Sequence, residues 1–347
     1  MTNEEKAFLL FLYTETPLHA GGETGFGTVD LPIQRERITR LPVVQGSGVK
    51  GALRETLTPR KKDPGRENDS ERDKAPAWIN ELFGPEPVQP KDETKANQQD
   101  EGDDKKGNEK TSMWAGALSL LDARLLLFPI RSVKGGWAWA TSPIQLQRLQ
   151  RDLEIAGITV DWKVPLPNEG SVLVGTSCNV NIKDSSGKSV VILEDTPYGT
   201  QSTDDVEKLA KWLGKALPNQ DSYKDFRNRL PSQLIVMTDT DFTYVGELAT
   251  EVHTRIRIDY ETGTVAKGAL WTEETLPSES LLWSLATVVA SRKSGSKRGA
   301  ADLVKELQDG LAAKTRIRLG GDRTIGRGWV GVQFMAKRSP EVGHDSK

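Results

Sequence analysis

The clearest concentration of chemically useful side chains lies in residues 29–54, VDLPIQRERITRLPVVQGSGVKGALR. Asp30 supplies a carboxylate near the start of this stretch. The basic side chains that are candidates for binding are Arg35, Arg37, Lys50 and Arg54. Clustered positive charge favours an anionic polymer such as a nucleic acid, and a carboxylate facing that polymer could cut it. Aspartate is also common in turns, so the pattern alone favours a structural role for Asp30 over a catalytic one.

A second candidate is the glycine-rich segment LGGDRTIGRGWVG near the end of the chain. Gly320 and Gly321 allow the backbone to approach a ligand, and Arg323 and Arg327 add charge, a combination that suits phosphate. The segment lacks the Gly-Lys-Ser/Thr ending of a P-loop, and no Gly-x-Gly-x-x-Gly motif follows a predicted strand. ATP and dinucleotides are therefore disfavoured as ligands. A bulged hairpin is the structural alternative.

Histidine is scarce, with three in the chain. His19 lies in the glycine-rich loop PLHAGGETGFGT, where it could contact a nucleic acid or act as an acid, although an ordinary hydrogen-bonding loop residue is the alternative that the pattern favours. His253 falls in a predicted strand and His344 in the polar tail, so neither is a partner for His19. A ribonuclease that depends on a histidine pair is disfavoured.

Composition limits the remaining classes. The 347 residues suffice for one large domain or two modest ones. A single cysteine excludes an internal disulfide and favours a reducing compartment, and neither an export signal nor a long apolar run is visible, so we expect a cytoplasmic protein without a membrane span. The net charge of −2 argues against a uniformly basic protein. Residues 31–54 nevertheless hold five basic residues against one acidic, and residues 292–327 hold ten against four, which is typical of a binding groove.

The hydrophobic pattern predicts the elements that position these residues. A buried strand is expected at residues 7–16, a helix at 46–57 with Ser47 as its cap, and a helix that begins at Ser142 and Pro143. Two strands paired through YETGTV follow, and then helices at 278–290 and 301–312. This mixed order favours an α+β fold over a doubly wound parallel sheet.

These motifs carry a resemblance to a known family. LGGDRTIGRGWVG resembles the glycine-rich signature of the RAMP superfamily of CRISPR proteins. Residues 29–54, together with TPLHAGG, AGALSLLDARLLLFPIRSVKG and IDYETGTVAKGALW, resemble the backbone subunit of type III-B (Cmr) RNA-guided effector complexes. The matching segments cover most of the chain that we expect to be ordered.

For the fold, the resemblance implies an RRM-like (ferredoxin-like) palm with an inserted β-hairpin thumb. The corresponding divisions are a palm at 1–58, 113–169 and 251–335, a partly disordered insertion at 59–112, a thumb subdomain at 170–250 and a polar tail at 336–347.

For function, the resemblance implies a subunit that binds CRISPR guide RNA, stacks head-to-tail with other copies, joins the other Cmr subunits and cuts single-stranded target RNA. Asp30 matches the residue linked to cutting with a divalent metal ion, Mg or Mn. Lys50 and Arg54 match a helix along the guide backbone, and Arg131 with Ser132 a second guide-contacting turn. Two alternatives stay open: a purely structural RNA-binding subunit, and a free-standing RNA-processing enzyme, which the scarcity of histidine disfavours.

Overall fold

The computed structural model describes residues 5–22, 27–59, 75–85 and 114–337. The strands are β1 (Lys6–Thr14), β2 (Val43–Val44), β3 (Leu118–Leu120), β4 (Ala123–Ser132), β5 (Gly136–Thr141), β6 (Ser171–Val174), β7 (Ile182–Lys183), β8 (Ser189–Leu193), β9 (Thr196–Ser202), β10 (Leu234–Val236), β11 (Glu251–Ile258), β12 (Val265–Thr275), β13 (Leu281–Val288), β14 (Arg316–Arg318) and β15 (Trp329–Met335). The helices are α1 (Gly46–Leu57), α2 (Ala77–Phe83), α3 (Pro143–Ile155), α4 (Asp204–Leu213), α5 (Lys224–Gln233), α6 (Asp239–Leu248) and α7 (Ala300–Ala313).

Within these ranges, one mixed sheet of thirteen strands organises the molecule. Its order is β14-β15-β1-β13-β4-β5-β10-β6-β9-β8-β7, with β2 added to β4 and β3 added to β13. A further contact between β4 and β8, at Ser132 and Leu193, curls one half of the sheet towards a barrel. The result is a mixed α/β fold with a barrel-like sheet, in agreement with the α+β class that the element order predicts.

The centre of the sheet is β1, which lies between β13 and β15 with antiparallel pairing on both sides. Phe8, Leu10 and Leu12 pack into the core beneath α1 and α7, whereas Leu9 and Phe11 pack into the core beneath α3 and α4. Because helices cover both faces, the strand is apolar from Ala7 to Leu12 and buried from Phe8 onwards, and the sequence prediction of a buried strand here is confirmed.

The prediction of a helix at residues 278–290 is wrong. That segment forms β13, with Leu282 and Ala286 in one core and Trp283 and Leu285 in the other. A short apolar run that is buried on both faces has no periodicity that separates strand from helix.

A two-stranded antiparallel hairpin, β11 and β12, stands apart from the main sheet. The paired strands predicted around YETGTV are therefore confirmed. The sequence prediction places a protruding hairpin within 170–250. In the structure, the strands β6 to β10 of that range extend the main sheet, which they join where the buried β10 pairs in parallel with β5.

Two helices begin as the sequence predicts, but their caps come from elsewhere. The N-cap of α1 is Gln45 rather than Ser47, and the Asp122 carboxylate accepts the Gly46 amide at 2.8 Å. At α3, Ser142 and Pro143 hold the expected positions, yet the Ser142 hydroxyl makes no cap bond and Asp239 accepts the Ile144 amide at 2.9 Å. Carboxylates from distant segments therefore replace the local caps.

The predicted insertion and tail fall mostly outside the described residues. Of residues 59–112, the structure describes 59 and 75–85, which include α2; of the tail, it describes 336 and 337. In the described part of the chain, none of the helices has the length and apolar content that a membrane crossing requires.

Candidate functional site

The site is built on one edge of β12. The loop after β1 pairs with this edge at Leu31, which bonds with the backbone of Thr272 and Glu274, each at 3.0 Å. The same loop pairs with the residue that follows β12, since Leu18 and Leu276 exchange backbone bonds at 2.8 and 2.9 Å. The segments that carry Asp30 and His19 are thus attached to the same strand.

Asp30 is exposed, and Thr272 fixes its carboxylate. Oδ2 accepts the Thr272 amide at 2.7 Å and the Thr272 hydroxyl at 2.9 Å. The amide above all, and then the hydroxyl, holds the pKa of the Asp30 carboxyl below its ordinary value. Asp30 therefore presents an oriented, ionised carboxylate at the surface, with Oδ1 unbonded within the described residues.

His19 lies two positions further along the same edge. Its Nδ1 is 2.7 Å from the carbonyl oxygen of Glu274, and since a carbonyl can only accept, Nδ1 carries the proton. In the neutral ring Nε2 is then an acceptor. The anchoring residues Thr272 and Glu274 are two apart along an extended strand, which separates them by about 7 Å. The structure thus brings the two predicted catalytic residues to neighbouring points.

The glycine-rich segment packs against the His19 loop. The Gly321 amide donates to the His19 carbonyl oxygen at 2.8 Å. Gly320 has φ +75°, and a Cβ there would lie 2.4 Å from the same oxygen. Gly328 has φ +75°, and a Cβ there would lie 2.0 Å from the Leu319 carbonyl oxygen. Chain geometry accounts for these glycines without a ligand.

Two predicted RNA-binding arginines are inside the protein. The Arg327 side chain is 8% exposed and pairs with the buried Glu273 carboxylate at 2.8 Å. The Arg35 side chain is 7% exposed and pairs with Glu274. Glu273 and Glu274 are neighbours on β12, so their side chains face opposite sides of the strand. Glu273 holds the glycine-rich segment through Arg327, and Glu274 holds the loop that contains Arg35. Arg35 and Arg327 therefore position the site rather than offer surface charge.

The other predicted cations of the 29–54 stretch reach the surface to different degrees. Arg37 is exposed and pairs with no group in the described part of the chain. On α1, half-buried Lys50 donates to the Leu118 carbonyl oxygen at 2.7 Å, and Arg54 donates to Asn80 at 3.1 Å. Arg323 of the glycine-rich segment pairs with Glu55 of α1 at 2.6 Å, so the segment and the helix are adjacent.

Arg131 and Ser132 lie at the end of β4, where it pairs with β5 and β8 rather than with the β12 edge. Arg131 is exposed and pairs with Glu194 and Asp195, each at 3.2 Å. Ser132 is 3% exposed, so its side chain is not a surface contact.

Sequence reasoning missed Thr272, Glu273 and Glu274, which hold the site together. A usable signal exists in the segment WTEET: two successive acids in a strand point to opposite faces, so if both are buried each needs its own cation.

Two arrangements bear on a metal ion. One donor atom each from His19, Glu273 and Asp322 lie within 4.8 Å of one another. This cluster suits a cation poorly, because Arg255 and Arg327 already neutralise Glu273. Asp30 fits better, since its exposed carboxylate offers an oxygen and Mg²⁺ commonly binds through one carboxylate, phosphate oxygens and water.

The sequence matches a known protein family over most of its length. The family model of the RAMP superfamily covers residues 11–331. This chain belongs to the RAMP superfamily.

Among its relatives is the CRISPR system Cmr endoribonuclease Cmr4 of Pyrococcus furiosus, 35% identical over 329 residues, which are 94% of this chain and 95% of that protein. The crystal structure of oligomeric Cmr4 from the same organism aligns with a TM-score of 0.63 and 26% identity over 96% of this chain and 99% of the other. A chain in the cryo-EM structure of the type III-B Cmr-beta complex bound to cognate target RNA aligns with a TM-score of 0.58 and 20% identity over 94% and 96% of the two chains, which shows a shared fold.

Proposed function

We propose that this chain is the guide-RNA-binding backbone subunit of a type III-B CRISPR effector complex and that it cuts complementary target RNA within that complex. The observation that carries the proposal is the ionised Asp30 carboxylate, oriented by Thr272 at the surface in a member of the RAMP superfamily. The relative named as an endoribonuclease shares 35% of its residues over nearly the whole chain, which supports the same activity.

The chemistry required of the protein is modest, because RNA carries its own nucleophile in the 2′-hydroxyl. The 2′-oxygen attacks the adjacent phosphorus, the bond from phosphorus to the 5′-oxygen breaks, and the 2′-hydroxyl proton passes to water. Asp30 holds Oδ2 towards Thr272, which leaves Oδ1 available on the side where the strand would lie. His19 is held with Nε2 unprotonated in its neutral form, so the imidazolium can donate a proton from Nε2 to the leaving oxygen. Positioned groups of this kind contribute about 10²–10⁴ in rate.

A transient divalent metal ion, Mg or Mn, is part of the proposal. Asp30 would hold it through the free carboxylate oxygen, with the remaining positions left to water and phosphate. When bound, the ion supplies charge stabilisation at the phosphate. Without such a cation, the Asp30 carboxylate would repel the phosphates of an RNA strand.

We also propose that the main sheet is the RRM-like palm and that the β11–β12 hairpin is the thumb through which copies stack head-to-tail along the guide. The hairpin stands apart from the sheet and exposes large apolar side chains, among them Val252, Ile256 and Leu270. Exposed apolar area of this extent is typical of a surface that another chain covers. A cytoplasmic location, where guide RNA and the other subunits would be met, completes the proposal.

The test is to co-express the chain with the genes that neighbour it and to purify the assembly. We expect a short RNA of uniform length to co-purify, together with several copies of this chain and additional subunits. An RNA-free monomer under these conditions would contradict the proposal.

A further inference from the structure

The loop between β13 and α7 contains the segment SRKSGSKR, residues 291–298, which we call the basic loop. The Ser291 amide donates to the Arg298 carbonyl oxygen at 3.0 Å, and the Ser296 amide donates to that of Lys293 at 3.1 Å. Gly295 makes the turn with φ +78°. The loop is therefore a closed, hydrogen-bonded structure rather than an extended connection.

The buried carboxylate of Glu81 holds the basic loop in place through two of its side chains. Glu81 of α2 is 3% exposed, accepts the Ser296 hydroxyl at 2.8 Å and pairs with Arg298 at 2.9 Å. Glu81 thus neutralises Arg298. The surface above it is a cleft of about 530 Å³ lined by the loop and Asp302.

Three further cations of the loop point outwards without an acidic partner in the described ranges. Arg292, Lys293 and Lys297 are exposed; Arg292 donates to the Gly116 carbonyl oxygen at 3.2 Å, and Lys293 lies 5.8 Å from the centre of the Trp114 ring. Lys297 has no hydrogen bond, ion pair or ring contact with a described group. Positive charge is therefore left over on the loop.

This charge is close to the basic face of α1, because Arg292 donates to the Gly116 carbonyl oxygen at 3.2 Å and Lys50 donates to the Leu118 carbonyl oxygen at 2.7 Å, two residues further along the same segment. Burial, and then the charges of Arg292 and Arg54, lower the pKa of the Lys50 ammonium. Lys50 is therefore repelled both by Arg54 on its own helix and by Arg292 of the basic loop. An anion placed among them would remove that repulsion and accept charge-assisted hydrogen bonds.

We infer that the basic loop is an additional phosphate-binding element, which with Lys50 and Arg54 forms one continuous surface for the backbone of a single RNA strand. The inference rests on the proposed function, since it takes that strand to be the guide. It adds Arg292 and Lys297 as phosphate contacts. Neither residue reads base identity, because the charges meet only the strand's backbone.

The test measures the binding of a fluorescently labelled guide-length RNA to the full chain by anisotropy across a salt series. The variant Arg292→Gln/Lys297→Gln removes two positive charges from the loop. The matched control, Lys208→Gln/Lys224→Gln, removes two exposed lysines from α4 and α5. Each lost contact to a single strand lowers the slope of log affinity against log salt by about 0.7, so we expect a drop of about 1.4 and about 25-fold weaker binding at 0.1 M salt.

Lys297→Gln alone guards against a folding defect, because the exposed Lys297 side chain makes no hydrogen bond or ion pair with a described group; this variant should lower the slope by about 0.7. If the wild-type chain binds RNA and the loop variants match the control, the inference is overturned while the proposed function stands. If the wild-type chain and every variant fail to bind RNA, guide binding itself is contradicted.

Discussion

The Asp30 carboxylate accepts hydrogen bonds from both the amide and the hydroxyl of Thr272, at 2.7 and 2.9 Å. The Thr272 hydroxyl in turn accepts the Asp30 amide at 2.9 Å. These bonds span 242 residues of sequence and fix an otherwise exposed loop residue against the base of the β11–β12 hairpin. The position of the carboxylate thus depends on a strand that follows far later in the chain.

Replacing Thr272 should impair cutting without preventing assembly. Thr272→Val removes the hydroxyl and keeps the shape and the amide, so one of the two bonds to a charged group is lost. We expect about tenfold slower single-turnover cleavage by the assembled complex, with guide RNA binding unchanged. Thr272→Ser, which keeps the hydroxyl, should cut at nearly the wild-type rate. Equal rates for Thr272→Val and the wild type would contradict this role.

The buried pair of Arg35 and Glu274 should matter more for folding than a surface pair nearby. Glu274→Gln leaves the Arg35 charge buried without its partner, which should lower the free energy of unfolding by about 3 kcal/mol. The control Glu247→Gln removes an exposed pair with Arg40 at 3.5 Å and should cost less than about 1 kcal/mol. Denaturant unfolding measures both. Similar losses in the two variants would show that burial does not decide the contribution.

Alanine substitutions at two glycines of the C-terminal segment distinguish the cost of backbone strain from the cost of a steric clash. Both have positive φ, +75° at Gly320 and +90° at Gly326, but an added Cβ meets the His19 carbonyl oxygen at 2.4 Å in the first case and no atom within 4 Å in the second. Gly326→Ala should therefore cost about 1–2 kcal/mol, and Gly320→Ala clearly more, with slower cleavage because His19 is displaced. Thermal unfolding and cleavage assays test this order, which equal effects would refute.

Glu279 gives the protein a specific dependence on pH. Burial raises the pKa of its carboxyl, which accepts the Tyr13 hydroxyl, from 4.5 to about 7. Between these values the folded state keeps a proton that the unfolded state loses, so this contribution to stability is complete below pH 4.5 and declines as the pH rises to about 7. Glu279→Gln stays neutral, and its melting temperature should fall less than that of the wild type over this range. Parallel curves for the two proteins would exclude the effect.

The sequence predicts the elements with strong local signals and fails where tertiary contacts decide. β1 has a long apolar run and α3 has Pro143 at its first turn, so both are predictable. The sequence of β13 suggests a helix instead, because burial on both faces removes its periodicity. The caps supplied by Asp122 and Asp239 come from distant segments, which no local pattern reveals.

In the candidate site, too, the sequence predicts the residues with local signals and misses the tertiary contacts. Resemblance to a family identifies Asp30, and the glycine-rich loop draws attention to His19; the structure adds the attachment of both to one edge of β12. Because arginine clusters suit RNA, the sequence predicts that Arg35 lies at the surface. Its partner Glu274 lies 239 residues later in the chain, and the pair is buried, so Arg35 holds the loop in place instead. Charge counts along a chain do not tell a buried ion pair from a free cation.

The central claim is that Asp30 cuts the target RNA, and the most direct measurement is the cleavage of complementary RNA by assembled complexes that carry Asp30→Asn. The substitution keeps size and removes the charge, so guide RNA content and copy number should match the wild type while cleavage is lost. Asp30→Ala, which also removes the bonds to Thr272, shows whether assembly depends on the loop contact. Assembled Asp30→Asn complexes that cut complementary RNA at the wild-type rate would contradict the account and leave a purely structural RNA-binding subunit.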